Sequence, residues 1–162
     1  MSIQLKFYGL INELMVINNL IYTLEDVKYL SDNNFRGLGL LVYRKGIFSS
    51  SYHSDLRPSY STPKNINLGT KECVSFLLQI SKKDNPLHDG FIFFDERGRM
   101  THVSQYFAPI VEKSIVPNEK YGTRYMAALY GSLLPGVIVT GTLHSSDRAC
   151  FIFHKGKVIY SF

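Results

Sequence analysis

The stretch Asn85–Phe91 constrains the fold most, because it places a helix stop, two reactive side chains and a glycine between two apolar runs. Pro86 disfavours helical geometry in the residue before it, so the helical pattern upstream should end there. Gly90 leads directly into four apolar residues, a run short enough to be a buried strand. His88 and Asp89 should therefore lie where a helix gives way to a central strand. Two interpretations fit this position: a surface loop with an ion pair, or a functional loop held by the strand.

The composition predicts a single domain over residues 1–162, with an N-terminal helical segment over 1–31. The chain is 45% hydrophobic and 19% charged, which is typical of a globular protein. A chain of this length can bury a sizeable core without metal or disulfide staples. The cysteines Cys73 and Cys150 lack Cys-x-x-Cys spacing, so we expect reduced, buried thiols and no structural zinc.

The charge and the N-terminus narrow the classes of partner. The net charge is +5, but the basic residues are scattered, so the charge does not indicate a nucleic-acid ligand, although it allows a pocket for a small polyanion. The apolar residues between Leu5 and Leu24 are interrupted by polar ones and lack the roughly 18 uninterrupted positions of a spanning helix. The start of the chain also lacks the features of a signal peptide. We therefore expect a cytoplasmic protein with no membrane association.

The spacing of apolar residues predicts an α/β fold, with an N-terminal amphipathic helix and a mixed sheet of six or seven strands flanked by helices. Thr23 and Asp26 resemble a capping box, which predicts a second short helix ending near Leu30. Residues 37–43 should form a strand that turns at Lys45-Gly46 into a hairpin partner from Ile47. A long loop should cover 52–67. The further expected elements are a helix over 71–81, a hairpin of strands from 91 and over 100–106, a helix from 122, and strands over 137–142, 149–153 and 158–162.

Three polar segments lie at element ends and carry groups that can meet phosphate or metal: 88–90, 122–124 and 144–148. The start of a helix at Gly122-Thr123-Arg124 would offer free N–H groups and a positive dipole end to an anion. Arg124 could add charge-assisted hydrogen bonds, although a threonine cap beside an exposed arginine would give the same sequence. Asp89 could bind a divalent cation with His88 as a second ligand.

The run Pro86–Gly90 before a buried strand, followed later by Gly122-Thr123-Arg124 opening a helix with Ala127-Ala128, resembles the diadenylate cyclase family. The resemblance extends from about Leu20 to the end of the chain. It implies a domain that condenses two ATP molecules into cyclic di-AMP, with each domain of a homodimer or higher homo-oligomer supplying one ATP. It also implies bound Mg or Mn.

The resemblance also implies roles for individual residues. By this resemblance, Asp89 would bind the metal and help to activate the ribose 3′ hydroxyl, while Thr123 and Arg124 would hold the triphosphate. We expect Asp89 and Gly90 to be catalytic, and His88, from its residue type, to be a further metal ligand. The residues expected to bind the nucleotide come from the three segments and the residue after the first: Phe91, Gly122, Thr123, Arg124, Ser145 and Ser146.

The sequence departs from the family pattern at three places. The family has Asp-Gly-Ala, an Arg-His-Arg triplet and a Ser-Glu-Glu, where this chain has Asp89-Gly90-Phe91, Arg124-Tyr125-Met126 and His144-Ser145-Ser146. Neither Tyr125 nor Met126 can supply a positive charge. Phe91 could fill part of the pocket, stack on a base or belong to the core. Two functions are favoured: an active nucleotidyltransferase, or a sensor that binds an adenine or cyclic nucleotide without turnover. A third, a basic nucleic-acid-binding module, is supported only by the net charge and the aromatic residues.

Overall fold

The computed structural model describes residues 3–162, apart from the side chains of residues 3 and 5. Three helices and seven strands follow one another in the order α1, β1, β2, α2, β3, β4, α3, β5, β6, β7. A 3-10 turn, Ser50–Tyr52, precedes β2. The bounds are α1 Ile3–Leu30, β1 Leu38–Tyr43, β2 His53–Asp55, α2 Lys71–Ile80, β3 Phe91–Asp95, β4 Met100–Phe107, α3 Thr123–Gly131, β5 Val137–Leu143, β6 Cys150–His154 and β7 Lys157–Ser161.

All seven strands form one mixed sheet in the order β2-β4-β3-β1-β5-β6-β7. β1 and β3 run parallel, and the other neighbouring strands run antiparallel. Helices α1 and α2 cover one face of the sheet and α3 covers the other, so two apolar clusters lie on opposite sides of it. Every residue of β1, β3 and β5 is buried for this reason. The predicted α/β fold with a mixed sheet and an N-terminal helix is confirmed.

The expected hairpin from β1 into a strand at Ile47 is wrong. β1 is bordered by β3 on one side and β5 on the other, so no edge of it is free to pair with the following residues. The chain instead passes the turn at Lys45 and reaches β2, which pairs with β4 at the end of the sheet. The predicted long loop over 52–67 therefore contains a short edge strand.

The predicted break in the first helix at Thr23 is also wrong. The Thr23 hydroxyl donates to the carbonyl oxygen of Asn19 (2.7 Å) and accepts from the amide of Gly69 (2.9 Å), so it does not cap a new helix. α1 runs through 28 residues without interruption. Its second half packs on the sheet through Leu20 and Leu24, which lie directly over Gly141. Among residues 3–162, no helix has both the length and the apolarity required to span a membrane.

Candidate functional site

Three of the predicted segments meet at one edge of the sheet. Because β1 and β3 are parallel, both begin at this edge, and the antiparallel β5 ends there, with Leu143 opposite Leu38. The segments 88–90 and 144–148 continue these strand ends, and the N-terminus of α3 lies between them. A Cβ atom added to Gly37 would come within 2.8 Å of Arg124 Nη1 and 3.5 Å of the amide nitrogen of Ser145. The geometry thus brings together residues that are far apart in sequence.

Arg124 connects these segments. Its Nη1 donates to the carbonyl oxygen of Arg36 (3.1 Å) and its Nη2 to that of His88 (3.2 Å). Burial lowers the pKa of Arg124, and the negative charge of Asp89 partly opposes that shift, so the guanidinium keeps its charge. A guanidinium has five N–H donors, so these two bonds leave others for a ligand. Arg124 therefore links the backbone at Arg36 and His88 to α3, and it is also a candidate for contact with an anion.

The first turn of α3 separates two cavities. Gly122 occupies the cap position and provides no side-chain bond to the first amides. A cavity of about 160 Å³ lies on one side, lined by Tyr121, Phe151, His144 and Ser145, and a cavity of about 300 Å³ lies on the other. Both cavities share Thr123 and Arg124. The larger one is mainly apolar, and its other walls include Leu56, Phe91, Tyr106, Phe107 and Ala127.

His88 and Asp89 lie side by side before β3. The His88 Nδ1 atom is 2.7 Å from the carbonyl oxygen of Asn85, which can only accept, so Nδ1 carries the proton and Nε2 of the neutral ring has a free lone pair. That Nε2 lies 3.4 Å from Asp89 Oδ1, and Arg57 Nη2 lies 4.0 Å from the other carboxylate oxygen. A proton placed between Nε2 and Oδ1 would be shared by the two atoms, and a metal ion there would be bound by both.

This pair suits a divalent ion only in part. Two protein ligands are available at His88 and Asp89, and among the described residues no cluster of three His, Cys, Asp or Glu side chains could hold a metal. Magnesium characteristically takes one or two carboxylates and completes its shell with water and substrate phosphates. The residues present therefore fit an ion that arrives with a nucleotide, rather than one bound by the protein alone.

Gly90 and Phe91 have structural roles beside the site. Gly90 has φ of +81°, and a Cβ atom there would lie 2.4 Å from the carbonyl oxygen of Gln105, so no other residue fits without movement. Phe91 is only 4% exposed, and its ring meets Phe107 edge to face, with ring centroids 5.1 Å apart. It also covers Gly39, where an added Cβ would come within 2.8 Å of the ring. Phe91 thus fills core space at the wall of the larger cavity.

The residues of the segment 144–148 differ in their contribution to the site. Ser145 lines the smaller cavity, whereas the Ser146 hydroxyl is exposed and lies 3.1 Å from His144 Nδ1. Asp147 accepts from the amide of Ala149 and from Lys120 Nζ, and these bonds lower the pKa of Asp147 to about 2. The carboxylate of Asp147 is therefore occupied by hydrogen bonds to neighbouring residues. Ser146 is accordingly the one predicted nucleotide contact that lines neither cavity.

The sequence reasoning missed the aromatic group beside α3. Tyr121 stacks on Tyr125 with centroids 5.2 Å apart, and Phe151 meets both rings edge to face at 4.7 and 5.1 Å. Tyr125 is buried in this group, and burial raises the pKa of its hydroxyl. The sequence feature that could have predicted this group is the position of Tyr121 directly before Gly122, at the start of the predicted helix. Phe151 lies in β6 and carried no local signal.

No family model and no curated protein matches the sequence. A structure described as a hypothetical membrane spanning protein from Bacillus cereus matches with a TM-score of 0.64 and 19% identity, over 90% of this chain. A double-cysteine mutant of DacA from Staphylococcus aureus matches with a TM-score of 0.57 and 16% identity, over 90% of this chain and 85% of that one. The fold of this chain is therefore similar to that of DacA. This chain spans 62% of the length of the Bacillus cereus chain.

Proposed function

We propose that this chain is a diadenylate cyclase-like domain that binds an adenine nucleotide across the N-terminus of α3 and does not turn it over. The observation that carries the proposal is the first turn of α3, whose residues Thr123 and Arg124 form part of two cavities at once. Helix N-termini attract phosphate through free amides and the helix dipole, and an arginine beside them adds charge-assisted bonds.

The two cavities differ in a way that suits the two ends of a nucleotide. The larger cavity, about 300 Å³, has apolar and aromatic walls that include Tyr106 and Phe107, so we assign the base to it. The first turn of α3 and Ser145 would then face the phosphates. Sites for small molecules usually occupy about 300–1,000 Å³, so a whole nucleotide would have to extend over both cavities.

Loss of positive charge is the reason to expect binding without turnover. Phosphoryl transfer depends on neutralising the charge spread over the phosphate oxygens. Tyr125 is buried against Phe151 and Phe153, and Met126 packs on the same apolar cluster, so neither position presents a cation. Removing one preorganised donor typically slows an enzyme about 10²-fold or more. The amides of α3 and Arg124 still support binding of the nucleotide in its ground state. The missing positive charge should therefore reduce the affinity less than it reduces the rate of turnover.

A second candidate, an active diadenylate cyclase, is favoured by the pair His88 and Asp89. In that case the two side chains would hold Mg or Mn together with ATP phosphates, and the ion would neutralise phosphate charge. Asp89 would help to activate the ribose 3′ hydroxyl. Condensation of two ATP molecules would also require a second copy of the chain, so activity would depend on a homodimer or higher homo-oligomer. Both candidates suit a cytoplasmic location, where ATP is available.

One experiment separates these functions. Titration calorimetry with ATP or cyclic di-AMP measures binding, and mass spectrometry after incubation with ATP and Mg²⁺ or Mn²⁺ detects cyclic di-AMP. We expect binding and no product. Product that disappears in Asp89→Asn, but persists in the nearby exposed control Asp84→Asn, would establish the second candidate. Absence of binding to either nucleotide would contradict both.

A further inference from the structure

A further cavity, with polar walls, lies at the opposite edge of the sheet from α3. It takes no part in the nucleotide site of the proposed function. The parallel strands β1 and β3 both end there, with Tyr43 opposite Asp95. In open α/β sheets, ligands characteristically bind beyond the carboxyl ends of parallel strands. A cavity of about 380 Å³ lies at this place, and we call it the carboxyl-end pocket. The residues that matter for its chemistry are Lys45, Lys64, Asn65, Asp95, Arg99 and Thr101.

Asp95 fixes two cations at the base of this pocket. Its side chain is fully buried, and Oδ1 accepts from the amides of Arg97 (3.0 Å) and Arg99 (2.9 Å). The other oxygen, Oδ2, lies 3.0 Å from Arg99 Nε and 3.3 Å from Lys45 Nζ. Burial alone would raise the pKa of Asp95, but these bonds lower it overall, so the carboxylate is charged at neutral pH. Both cationic groups are half exposed, and each has more N–H donors than its contact with Asp95 uses.

Lys64 adds a third cation on a segment that is fixed to β4. The backbone of this segment bonds to β4 and its turn on both sides of Asn67: the amide of Met100 donates to Ile66 (2.8 Å), and the amide of Leu68 donates to Gly98 (2.9 Å). Among the described residues, no carboxylate lies within 4.0 Å of Lys64 Nζ. Lys64 thus lines the pocket as an exposed cation, and none of the described ion pairs includes it.

The charge balance of the pocket is positive. Lys45, Lys64 and Arg99 face a single carboxylate, Asp95, which leaves a surplus of two positive charges. The carboxylate of Glu96 accepts from the amide of Lys45 (2.9 Å), but Glu96 lines the neighbouring cavity with Arg97. Asp95 holds two of these cations where they line the cavity, and the polar residues Asn65 and Thr101 line it as well. Cations and hydrogen-bond donors around one cavity are what a phosphate dianion requires.

We propose that the carboxyl-end pocket binds the phosphate or pyrophosphate group of a small phosphorylated molecule, separately from the nucleotide site at α3. The Arg99 guanidinium and the ammonium groups of Lys45 and Lys64 donate to the phosphate oxygens. Asp95 acts as a positioning residue that does not touch the ligand.

A ¹⁵N-resolved NMR titration with inorganic pyrophosphate tests this proposal. We expect saturable shifts of the amides of Asn65, Arg99 and Thr101. Lys64→Gln should weaken binding about tenfold, because it removes one charge-assisted contact. The control Lys113→Gln removes an exposed lysine from the segment before α3 and should leave the affinity unchanged.

The same titration in Thr123→Glu separates the two sites. A negative charge at the start of α3 should abolish any pyrophosphate shifts there and leave those of the carboxyl-end pocket intact. Absence of shifts at Asn65, Arg99 and Thr101 up to about 10 mM pyrophosphate would overturn the proposal. Equal weakening by Lys64→Gln and Lys113→Gln would also overturn it, because that result indicates general attraction to a basic surface. The proposal would also be overturned if a single-stranded oligonucleotide produced these shifts at a far lower concentration than pyrophosphate.

Discussion

Replacing Phe91 by alanine should separate its role in the core from its effect on the nucleotide site. Phe91 is 4% exposed, and its ring packs edge to face on Phe107 and covers Gly39. Truncation of a buried phenylalanine costs about 3–5 kcal/mol of unfolding free energy. We expect a value near the lower limit, about 3 kcal/mol, because the space left by the ring joins a cavity that water can enter. For a chain of this size, that loss lowers the melting temperature by about 6–12 °C.

The same change should increase nucleotide affinity. The ring forms one wall of the 300 Å³ cavity and offers little exposed surface for stacking, so it limits the space for a base. We expect Phe91→Ala to bind ATP about tenfold more tightly in a calorimetric titration, a difference of about 1.4 kcal/mol. Urea unfolding followed by circular dichroism measures the stability of the same samples.

Phe93→Ala is the matched control. Phe93 belongs to the same strand and the same apolar cluster and is fully buried, but it does not line the cavity. It should lose at least as much stability as Phe91→Ala and show no gain in affinity for ATP. Unchanged ATP affinity in Phe91→Ala, or an equal gain in both variants, would refute the assignment of the base to this cavity.

Three further predictions concern stability and reactivity. Gly90→Ala should destabilise the fold by more than about 1 kcal/mol, measured by urea unfolding, because φ is +81° and the new Cβ would meet a carbonyl of β4; a neutral effect would contradict this. The lowered pKa of Asp95 means that its contribution to stability is present above about pH 4 and is lost as the pH falls further. Asp95→Asn should therefore flatten the acid limb of a stability profile, and an unchanged limb would count against the ion pairs. Burial raises the pKa of Cys73 to about 12 and also raises that of Cys150, so neither thiol should react with Ellman's reagent at pH 8 until the protein unfolds.

Elements with strong local signals were predictable from the sequence. α2 begins at Lys71 because the Thr70 hydroxyl accepts from the amide of Cys73 (3.2 Å). β3 and β4 form the expected hairpin because the tight turn at Gly98, where the amide donates to the Asp95 carbonyl (2.8 Å), joins two apolar runs. In both cases the deciding hydrogen bond joins residues close in sequence. The start of α3 after Gly122 was also predictable, although Gly122 makes no side-chain capping bond.

Features that depend on distant partners were not predictable. The hairpin expected after β1 fails because β3 and β5 occupy both edges of β1, and no residue near Lys45 reveals that. Thr23 has the residue type of a cap, but its hydroxyl bonds back to Asn19, a choice that local sequence does not decide. Arg124 was predicted to contact phosphate, whereas its bonds to the carbonyls of Arg36 and His88 emerge only when the sheet has formed.

The nucleotide site at the N-terminus of α3 is tested most directly by the affinity of ATP, in the presence of Mg²⁺, for Thr123→Glu compared with the wild-type protein. Thr123 is exposed in the first turn of α3, and an acidic residue there favours the helix while repelling phosphate. Thr123→Gln, of similar size but uncharged, measures the steric part of the change. We predict that calorimetry shows saturable binding to the wild type, at least a tenfold larger loss of affinity in Thr123→Glu than in Thr123→Gln, and no loss of thermal stability in either. ATP binding of equal strength to Thr123→Glu and the wild type would contradict a nucleotide site at the N-terminus of α3.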